Sequence, residues 1–422
     1  MTAIVAPAAQ GTPIPRGRGR WRLMAYARQW DNSLPTALAA LDDARSRRLD
    51  CKLNTAAELT FTIDGRAPSA ATIVELATDV VAYRWDEATA RDVPMFRGIV
   101  DHSQDVISEQ AHTVNFVAHD YFAMTARRFF TGNVTGGYTN MDQDTMVANL
   151  ISYAEYVPTS NNNLGYFLPG SNLPLLTSLF NPDGTPRSTY SGQIRDRTWA
   201  PQTTFADAIT NLAACQNGFD FDVRPNGPSV ANDSVRVFYP RQGIARTDVA
   251  LVYGVNVSGV SRTVSSADYA NYVRTIGNKT STVADAPQLF GEVWNTDSNN
   301  VTVNPVGLWM MGDNASDVSL QATLNQQTQG RLADLGLLTP SYSLTLRPDA
   351  YYLGAVNMGD TVQLVIRSGR LNVNTTVRVV GMTYTIGDDG NEDVALTVGR
   401  PPPSLENVLG QTSRDIDALA RR

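Results

Sequence analysis

Between residues 341 and 400, apolar side chains recur at every second position in four successive runs. Tyr342, Leu344 and Leu346 form the first run, and Val362, Leu364 and Ile366 the second. Val380, Met382, Tyr384 and Ile386 form the third, and Val394, Leu396 and Val398 the fourth. A period of two places each set on one face of a half-buried strand. Ser368-Gly369 and Asp388-Asp389-Gly390 fall between runs, where tight turns need glycine or Asx chemistry. Four strands with one apolar face each must close on themselves or against a partner. The stretch therefore predicts a small antiparallel barrel or sandwich.

A second alternating region comes earlier. Leu59, Phe61 and Ile63 lead into Asp64-Gly65, which reads as a hairpin turn. Val81, Tyr83 and Trp85 continue on a strand, followed by Phe96, Ile99 and Val100 around Gly98. Val114, Phe116 and Ala118 form another strand ending at His119-Asp120. Asp79-Val80-Val81 opens its strand as Asp360-Thr361-Val362 does, Gly98 corresponds to Gly381, and Val114-Asn115-Phe116 to Val394-Ala395-Leu396. Either the chain holds two copies of one barrel or strand–turn patterns coincide by chance. Residues 36–48 follow Pro35 and consist of helix formers, so they read as a short helix or an arm.

From 131 to 199 the chain is rich in Gly, Asn, Pro, Ser and Tyr, which predicts long surface loops around a helix over 144–156. A further helix starts at Thr203, with Phe205, Ala208, Ile209, Leu212 and Ala213 on one face, and stops at Gly218. Phe219, Phe221 and Val223 then alternate as a strand, with Val235, Val237 and Tyr239 as its hairpin partner. Residues 274–277 read as a strand edge, and 320–335 as a helix with Ser319 as N-cap. After the stiff Pro401-Pro402-Pro403 spacer, Leu405, Leu409, Thr412, Ile416 and Leu419 mark an a/d seam about two heptads long. It serves either a helix docked on its own domain or a coil that binds itself or a partner.

The chemistry is sparse. The net charge of −7 over 422 residues argues against non-specific nucleic-acid binding. Two cysteines, Cys51 and Cys215, support neither a disulfide framework nor a cysteine zinc site. His112 and His119 differ in strand parity and cannot readily share a metal, and His102 completes the histidines. HExxH, GxSxG and GxxxxGK[ST] are all missing, so no catalytic residue, metal or cofactor is assigned. The acidic run 388–393 reads as a solvated hairpin turn rather than a calcium loop. Asp142 and Asp144 read as helix caps rather than a glycosidase pair. No run reaches the roughly 18 apolar residues of a membrane span. Residues 1–10 are apolar without a basic flank and read as a flexible or docking arm, not a signal peptide.

Four stretches in order carry a resemblance. They are Tyr83-Arg84-Trp85 with Phe96-Arg97-Gly98-Ile99-Val100, Ala118-His119-Asp120-Tyr121 and Arg127-Arg128; Phe205-Ala206-Asp207-Ala208-Ile209 with Leu212-Ala213 and Gly218-Phe219-Asp220-Phe221; Ser265-Ser266-Ala267-Asp268-Tyr269-Ala270-Asn271-Tyr272-Val273 leading to Gly277; and Leu353-Gly354 with Met358-Gly359-Asp360-Thr361-Val362 and Arg378-Val379-Val380-Gly381-Met382. The chain resembles the central hub of phage tail tips and baseplates. The resemblance implies a mainly β fold with α+β insertions: two tube-type antiparallel β-barrel domains plus smaller α/β domains. The implied parts are an arm (1–20), a first barrel (21–130), a loop-rich insertion (131–200), an α+β middle region (201–335), a second barrel (336–400), and a Pro linker with a C-terminal helix (401–422).

It further implies a homotrimer at the distal end of a virion tail, assembled in the host cytoplasm. Three subunits with two barrels each would match a sixfold tube to a threefold tip and open for DNA ejection. The implied partners are the distal tail protein or tail-tube ring, the C-terminus of the tape-measure protein, and tip fibre or spike proteins. DNA would pass transiently without sequence-specific binding. The seam residues Leu405, Leu409, Thr412, Ile416 and Leu419 are the candidate partner interface. The rival readings are a receptor-binding, carbohydrate-binding tail protein using the 131–199 loops, and a tail-associated cell-wall hydrolase.

Overall fold

The computed structural model describes residues 21–28, 35–86, 89–130, 136–154, 173, 175–199, 202–215, 217–226, 233–267, 269–279, 287–295, 306–315, 321–336, 338, 340–347, 353–388 and 392–399. The arm 1–20, the C-terminal seam and residues 131–135, 155–172, 174 and 200 of the predicted 131–200 loop region lie outside the described residues. The chain divides into two compact units, Met1–Val260 with Ser343–Val398, and Ser261–Tyr342 with Gly399–Arg422.

The first unit opens with seven strands: β1 (Trp21–Ala27), β2 (Thr36–Ala40), β3 (Arg45–Lys52), β4 (Glu58–Asp64), β5 (Thr78–Asp86), β6 (Arg91–Ile107) and β7 (His112–Asp120). Leu59, Phe61 and Ile63 are buried on β4, and Val114, Phe116 and Ala118 on β7, as the alternation requires. Phe61 and Phe116 are register partners whose rings stack at 5.3 Å. Residues 36–48 are not a helix. They form β2, a turn and the first half of β3, because hydrogen bonding to β1 and β4 overrides helix-forming composition. Asp64-Gly65 does not turn a hairpin to the next strand, since β4 pairs with β3 and β7. Gly65 instead donates its N–H to His112 O.

A short helix, α1 (Phe122–Thr125), leaves β7. The chain then forms β8 (Gly136–Asp142), α2 (Gln143–Ala154), β9 (Leu175–Phe180), β10 (Ile194–Trp199), α3 (Phe205–Ala213), β11 (Asp220–Arg224) and β12 (Asp233–Phe238). The N-cap of α3 is Thr204, one residue after the expected Thr203; its hydroxyl accepts from Asp207 N. The predicted face, Phe205, Ala208, Ile209, Leu212 and Ala213, is buried in one core with Met146, Leu150, Phe219 and Phe221. Each large side chain removed from water there contributes about 1.5–3 kcal/mol. β11 and β12 form the expected antiparallel hairpin, and β9 adds to β12 in parallel.

The second β region consists of β13 (Ala245–Val252), β14 (Val257–Thr263), β18 (Ser341–Leu346), β19 (Thr361–Ser368), β20 (Leu371–Ile386) and β21 (Glu392–Gly399). The four runs of the opening alternation are these last four strands, and β19 turns into β20 at Gly369, φ +52°. Val380 leaves its predicted parity because a bulge at Val379/Gly381 shifts the register, so Val377 and Val379 are buried before it and Met382, Tyr384 and Ile386 after it.

The pairings reveal a pattern. In the first region the strand order is β3-β4-β7-β6-β5-β1; in the second it is β14-β18-β21-β20-β19-β13. The two orders coincide position by position. The long strands β6 and β20 occupy the same place. Each pairs first with its predecessor, β5 or β19, and then on the other edge with its successor, β7 or β21. The short repeats around Asp79/Asp360 and Val114/Val394 sit at these matching strands. One difference remains: β1 runs antiparallel to β5, whereas β13 runs parallel to β19. The two sets are joined edge to edge by β3 and β20, from Gly381↔Lys52 to Ile386↔Arg47. Among the described residues no pairing links the two ends of this path, β2 and β14. The fold is thus mainly β with a large, chiefly antiparallel sheet.

The second unit is a three-stranded sheet. β15 (Tyr272–Lys279) lies between β16 (Gln288–Trp294), antiparallel, and β17 (Met310–Asn314), parallel. α4 (Gln321–Leu335) packs on β15 and β16. Gly291 lets the helix approach: a Cβ there would lie 2.5 Å from Thr328 Oγ1. On the other parity, Trp294, Tyr272 and Met310 align across the strands, with Trp294 52% and Met310 64% exposed.

Two glycines close the join between β12 and β19. Gly243 (φ +89°) and Gly359 (φ +87°) meet back to back, and a Cβ on Gly243 would lie 1.9 Å from Gly359 C. Gly243→Ala and Gly359→Ala are each expected to cost more than about 2 kcal/mol, because left-handed strain adds to a backbone clash. Gly184→Ala, also at positive φ but facing open space, should cost only about 1 kcal/mol. Urea midpoints of the three variants check this.

Candidate functional site

Strand β11 is buried on both faces. Phe221 faces the apolar core, and Asp220 and Asp222 on the opposite parity are 1% and 3% exposed. Three carboxylates cannot be buried without partners, because an uncompensated charge in this setting costs several kcal/mol. The hairpin β11–β12 carries Asp220, Asp222 and Asp233, and arginines from both strand sets meet them.

On the side of the first set, Arg97 of β6 lies 3.5 Å from Asp233 and 3.3 Å from Asp79 of β5. Tyr121, at the end of β7, donates its hydroxyl to Asp79, and Arg97 stacks over its ring at 5.3 Å. Asp79 and Asp233 thus share one guanidinium. Burial pushes Asp233 up to about 7, with Arg97 pulling the other way, and raises Asp79 as well. On the side of the second set, Arg378 of β20 donates to Asp220 and to Gln242 O, the latter at 2.8 Å. Asp220 also accepts from Arg241 (3.1 Å), Asn54 Nδ2 (3.1 Å) and Gln242 N (3.0 Å). Burial works to raise Asp220, but Arg378 and Arg241 outweigh it and hold the group below its ordinary value. Asp222 takes a bidentate bond from Arg236 and one from Gln242 Nε2. Asp360 accepts from Ile244 N and Asn357 N.

Asn54, in the β3–β4 turn at φ +61°, reads the backbone of β11 like a strand. Its N–H donates to Phe221 O, and its side chain accepts from Phe221 N at 2.7 Å. A further tie joins the two sets: Arg84 of β5 and Trp21 of β1 both donate to Glu392 of β21, at 2.9 and 2.8 Å. The hairpin is therefore pinned to both sets, and the sets to each other, by buried charge-assisted bonds. Beside it lies a cavity of about 280 Å³ lined by Cys51, Arg224, Arg236, Gln242, Met382 and Tyr384, among others. Burial pushes the Cys51 thiol up to about 12.

The singled-out polar residues serve local structure. Asp142 caps α2 through Asp144 N and holds Ser191 and Gly192, and Asp144 pairs with Arg187 at 2.9 Å. His112 faces Asp105, and His119 lies between Asp101 and Glu58. Among the described residues no cluster of three His, Cys, Asp or Glu is arranged to hold a metal, and no helix is long and apolar enough to cross a membrane. Leu405, Leu409, Thr412, Ile416 and Leu419 lie outside the described residues. Sequence reasoning missed the pins. The available signal was the Phe-Asp-Phe-Asp run at 219–222, a strand with no face left for water.

No protein-family model matches the sequence, and no curated protein matches it. Solved structures do. The tail protein from Neisseria meningitidis MC58 superposes with TM-score 0.52 at 11% identity, covering 90% of this chain and 96% of that one. The 43 kDa tail protein of prophage MuSo2 from Shewanella oneidensis gives 0.54 at 11% identity, covering 90% and 98%. Prophage tail protein gp18 from Listeria monocytogenes EGD-e gives 0.50 at 12% identity, covering 94% and 99%. At these identities the likeness is one of fold, and it extends over nearly the whole of each chain.

Removing Arg97 leaves two buried carboxylates facing each other, so Arg97→Ala is expected to cost about 3–5 kcal/mol. Asp233 adds a pH dependence. With its folded value near 7 against 3.8 unfolded, its proton stabilises the fold fully below about pH 4, and this contribution is lost as pH rises through about 7. Asp233→Asn should therefore gain stability relative to the parent between pH 5 and pH 8, by on the order of 1–3 kcal/mol. Denaturation midpoints at both pH values measure it; a constant difference would contradict the assignment.

Proposed function

We propose that the protein is a structural component of a phage tail, a homotrimeric hub that caps the tail tube and opens for DNA ejection. One observation carries this reading. A single chain contains two six-strand sets in the same order, joined edge to edge through β3 and β20. Three such chains offer six equivalent modules, which a sixfold tube can seat on while the assembly itself keeps threefold symmetry. The likeness of fold to prophage tail proteins supports the tail setting.

In this reading each set is one tube-type barrel module. The second module recruits β13 and β14 in addition to the strands of 336–400. The buried pins keep the two modules of one chain rigid. The distal tail ring binds above, the tape-measure C-terminus within, and fibre or spike proteins below, at the distal end of a virion tail assembled in the host cytoplasm. The seam Leu405, Leu409, Thr412, Ile416 and Leu419 is assigned to subunit or partner contact. The role is non-enzymatic: the buried carboxylates are committed to arginines or backbone N–H groups, and Asp142 and Asp144 to a helix start. An electrically permissive bore lets DNA pass without adhering, which the net charge of −7 allows.

A second reading, carbohydrate-binding receptor recognition, is favoured by one feature, the exposed Trp294 and Phe290 on the second unit, with the half-buried Tyr272 beside Trp294. Native mass measurement and electron imaging of the purified protein with its distal tail ring decide the matter. The expected result is a mass of three chains and a threefold particle seated on a sixfold ring. A stable monomer, or an assembly of even symmetry, would overturn the hub reading.

A further inference from the structure

Helix α4 covers one face of the second unit's sheet through Leu332 and Leu335, which pack with Val273, Val293 and Met311. The opposite parity forms the other face, and the strand register sets it out in three rows. Trp294, Tyr272 and Met310 make the first row, Glu292, Arg274 and Gly312 the second, and Phe290, Ile276 and Asn314 the third. Large apolar side chains stand in water here: Trp294 is 52%, Phe290 50% and Met310 64% exposed.

The face is not a plain apolar patch. At one end the Trp294 and Tyr272 rings lie nearly parallel, 11° apart in tilt and 6.3 Å between centroids. Phe290 stands at the other end, four strand steps or about 13 Å along β16, with the Arg274 guanidinium over its ring at 4.9 Å. Between the two ends Glu292 takes Arg274 at 3.4 Å and the Tyr272 hydroxyl. Gly312 completes this polar row without a side chain, and a Cβ there would meet nothing within 4 Å, so the row is open beside Arg274.

The alternation of rings and charges selects the occupant. An apolar protein surface or a bilayer would cover the rings but strip water from the Arg274–Glu292 pair, whose side chains are 52% and 34% exposed. The attraction within such a pair seldom repays its desolvation. A sugar chain meets both demands. Its axial C–H groups cover aromatic faces, and its hydroxyls replace water on carboxylate and guanidinium. A pyranose with every ring substituent equatorial, the gluco configuration, shows C–H groups on both faces, whereas an axial hydroxyl interrupts one of them.

We propose that this face binds an extended oligosaccharide of gluco-configured pyranose units. One unit stacks on Trp294 and Tyr272, the chain crosses Glu292, Arg274 and the gap at Gly312, and a further unit stacks at Phe290. The site rests on the carbohydrate reading of the second unit and gives it residues and a ligand class. A hub can carry it, because the two strand sets belong to the first unit.

Calorimetric titration of the full chain with cellohexaose, chitohexaose and mannohexaose tests it. Cellohexaose and chitohexaose share the gluco configuration and differ in the acetamido group, so the two arms separate plain glucans from N-acetylated ones; mannohexaose carries the axial hydroxyl. Binding of at least one of the first two is expected, with mannohexaose weaker. Trp294→Ala and Glu292→Gln, both at exposed positions, should each weaken it about tenfold, the worth of one stacking or charge-assisted contact. Binding of a hexaose unmoved by both variants would overturn the site and leave carbohydrate recognition standing. Preference for mannohexaose would overturn the ligand class, and no binding of any of the three would overturn site and carbohydrate reading together. The mass of the assembly, which tests the hub, is read separately.

Discussion

The ladder between β3 and β20 is the interaction on which the architecture depends. It turns two strand sets of like order into one continuous sheet, and it fixes them in register rather than merely in contact. Backbone pairing over Gly381 to Ile386 leaves no freedom to slide, because a shift of one residue would turn Leu49 and Tyr384 out of the core. Gly381, beside the bulge, lets the strands approach: a Cβ there would lie 3.3 Å from Cys51 O.

The buried charges add what hydrogen-bonded edges cannot. A sheet this wide is free to twist and flex, and an apolar filling would tolerate several packings of the hairpin against it. Arg97 and Arg378 each accept only one arrangement, since displacing either strands a carboxylate away from water. Such pairs add little net stability over a well-packed apolar core, so their value here lies in uniqueness of geometry. The two sides differ in charge state. Asp220, with two arginines and an asparagine, is held ionised, while Asp79 and Asp233 share a single arginine and are raised by burial.

Much of this was legible in the chain. Strands with one wet face announce themselves by alternation, so β4, β7, β18, β19 and β21 could be read residue by residue, as could the buried face of α3. Reading failed where tertiary pairing decides. Residues 36–48 have helical composition yet become β2 and β3, because strands β1 and β4 offer open edges. The parity of Val380 could not be read, since a bulge shows no mark in composition. The pins were hidden for a related reason: alternation asks which face is apolar, and β11 has none that is wet. Asp220 and Asp222 look like solvated residues until Arg378, distant in the chain, and Arg236, across the hairpin, are placed on them.

The place in the sequence where the second unit is inserted follows from the same matching of strands. In the first set β3 passes to β4 through a short turn around Asn54, whereas in the second the matching strands β14 and β18 are separated by the whole of β15 to α4. Adjacent sheet strands hold their ends close whatever the length between them, and loop entropy grows slowly with length, so the insertion costs the ladder little. The first set keeps its turn short because Asn54 there has work to do on β11. In the second set the matching place is occupied by the insertion, which leaves the sheet after β14 and returns to it at β18.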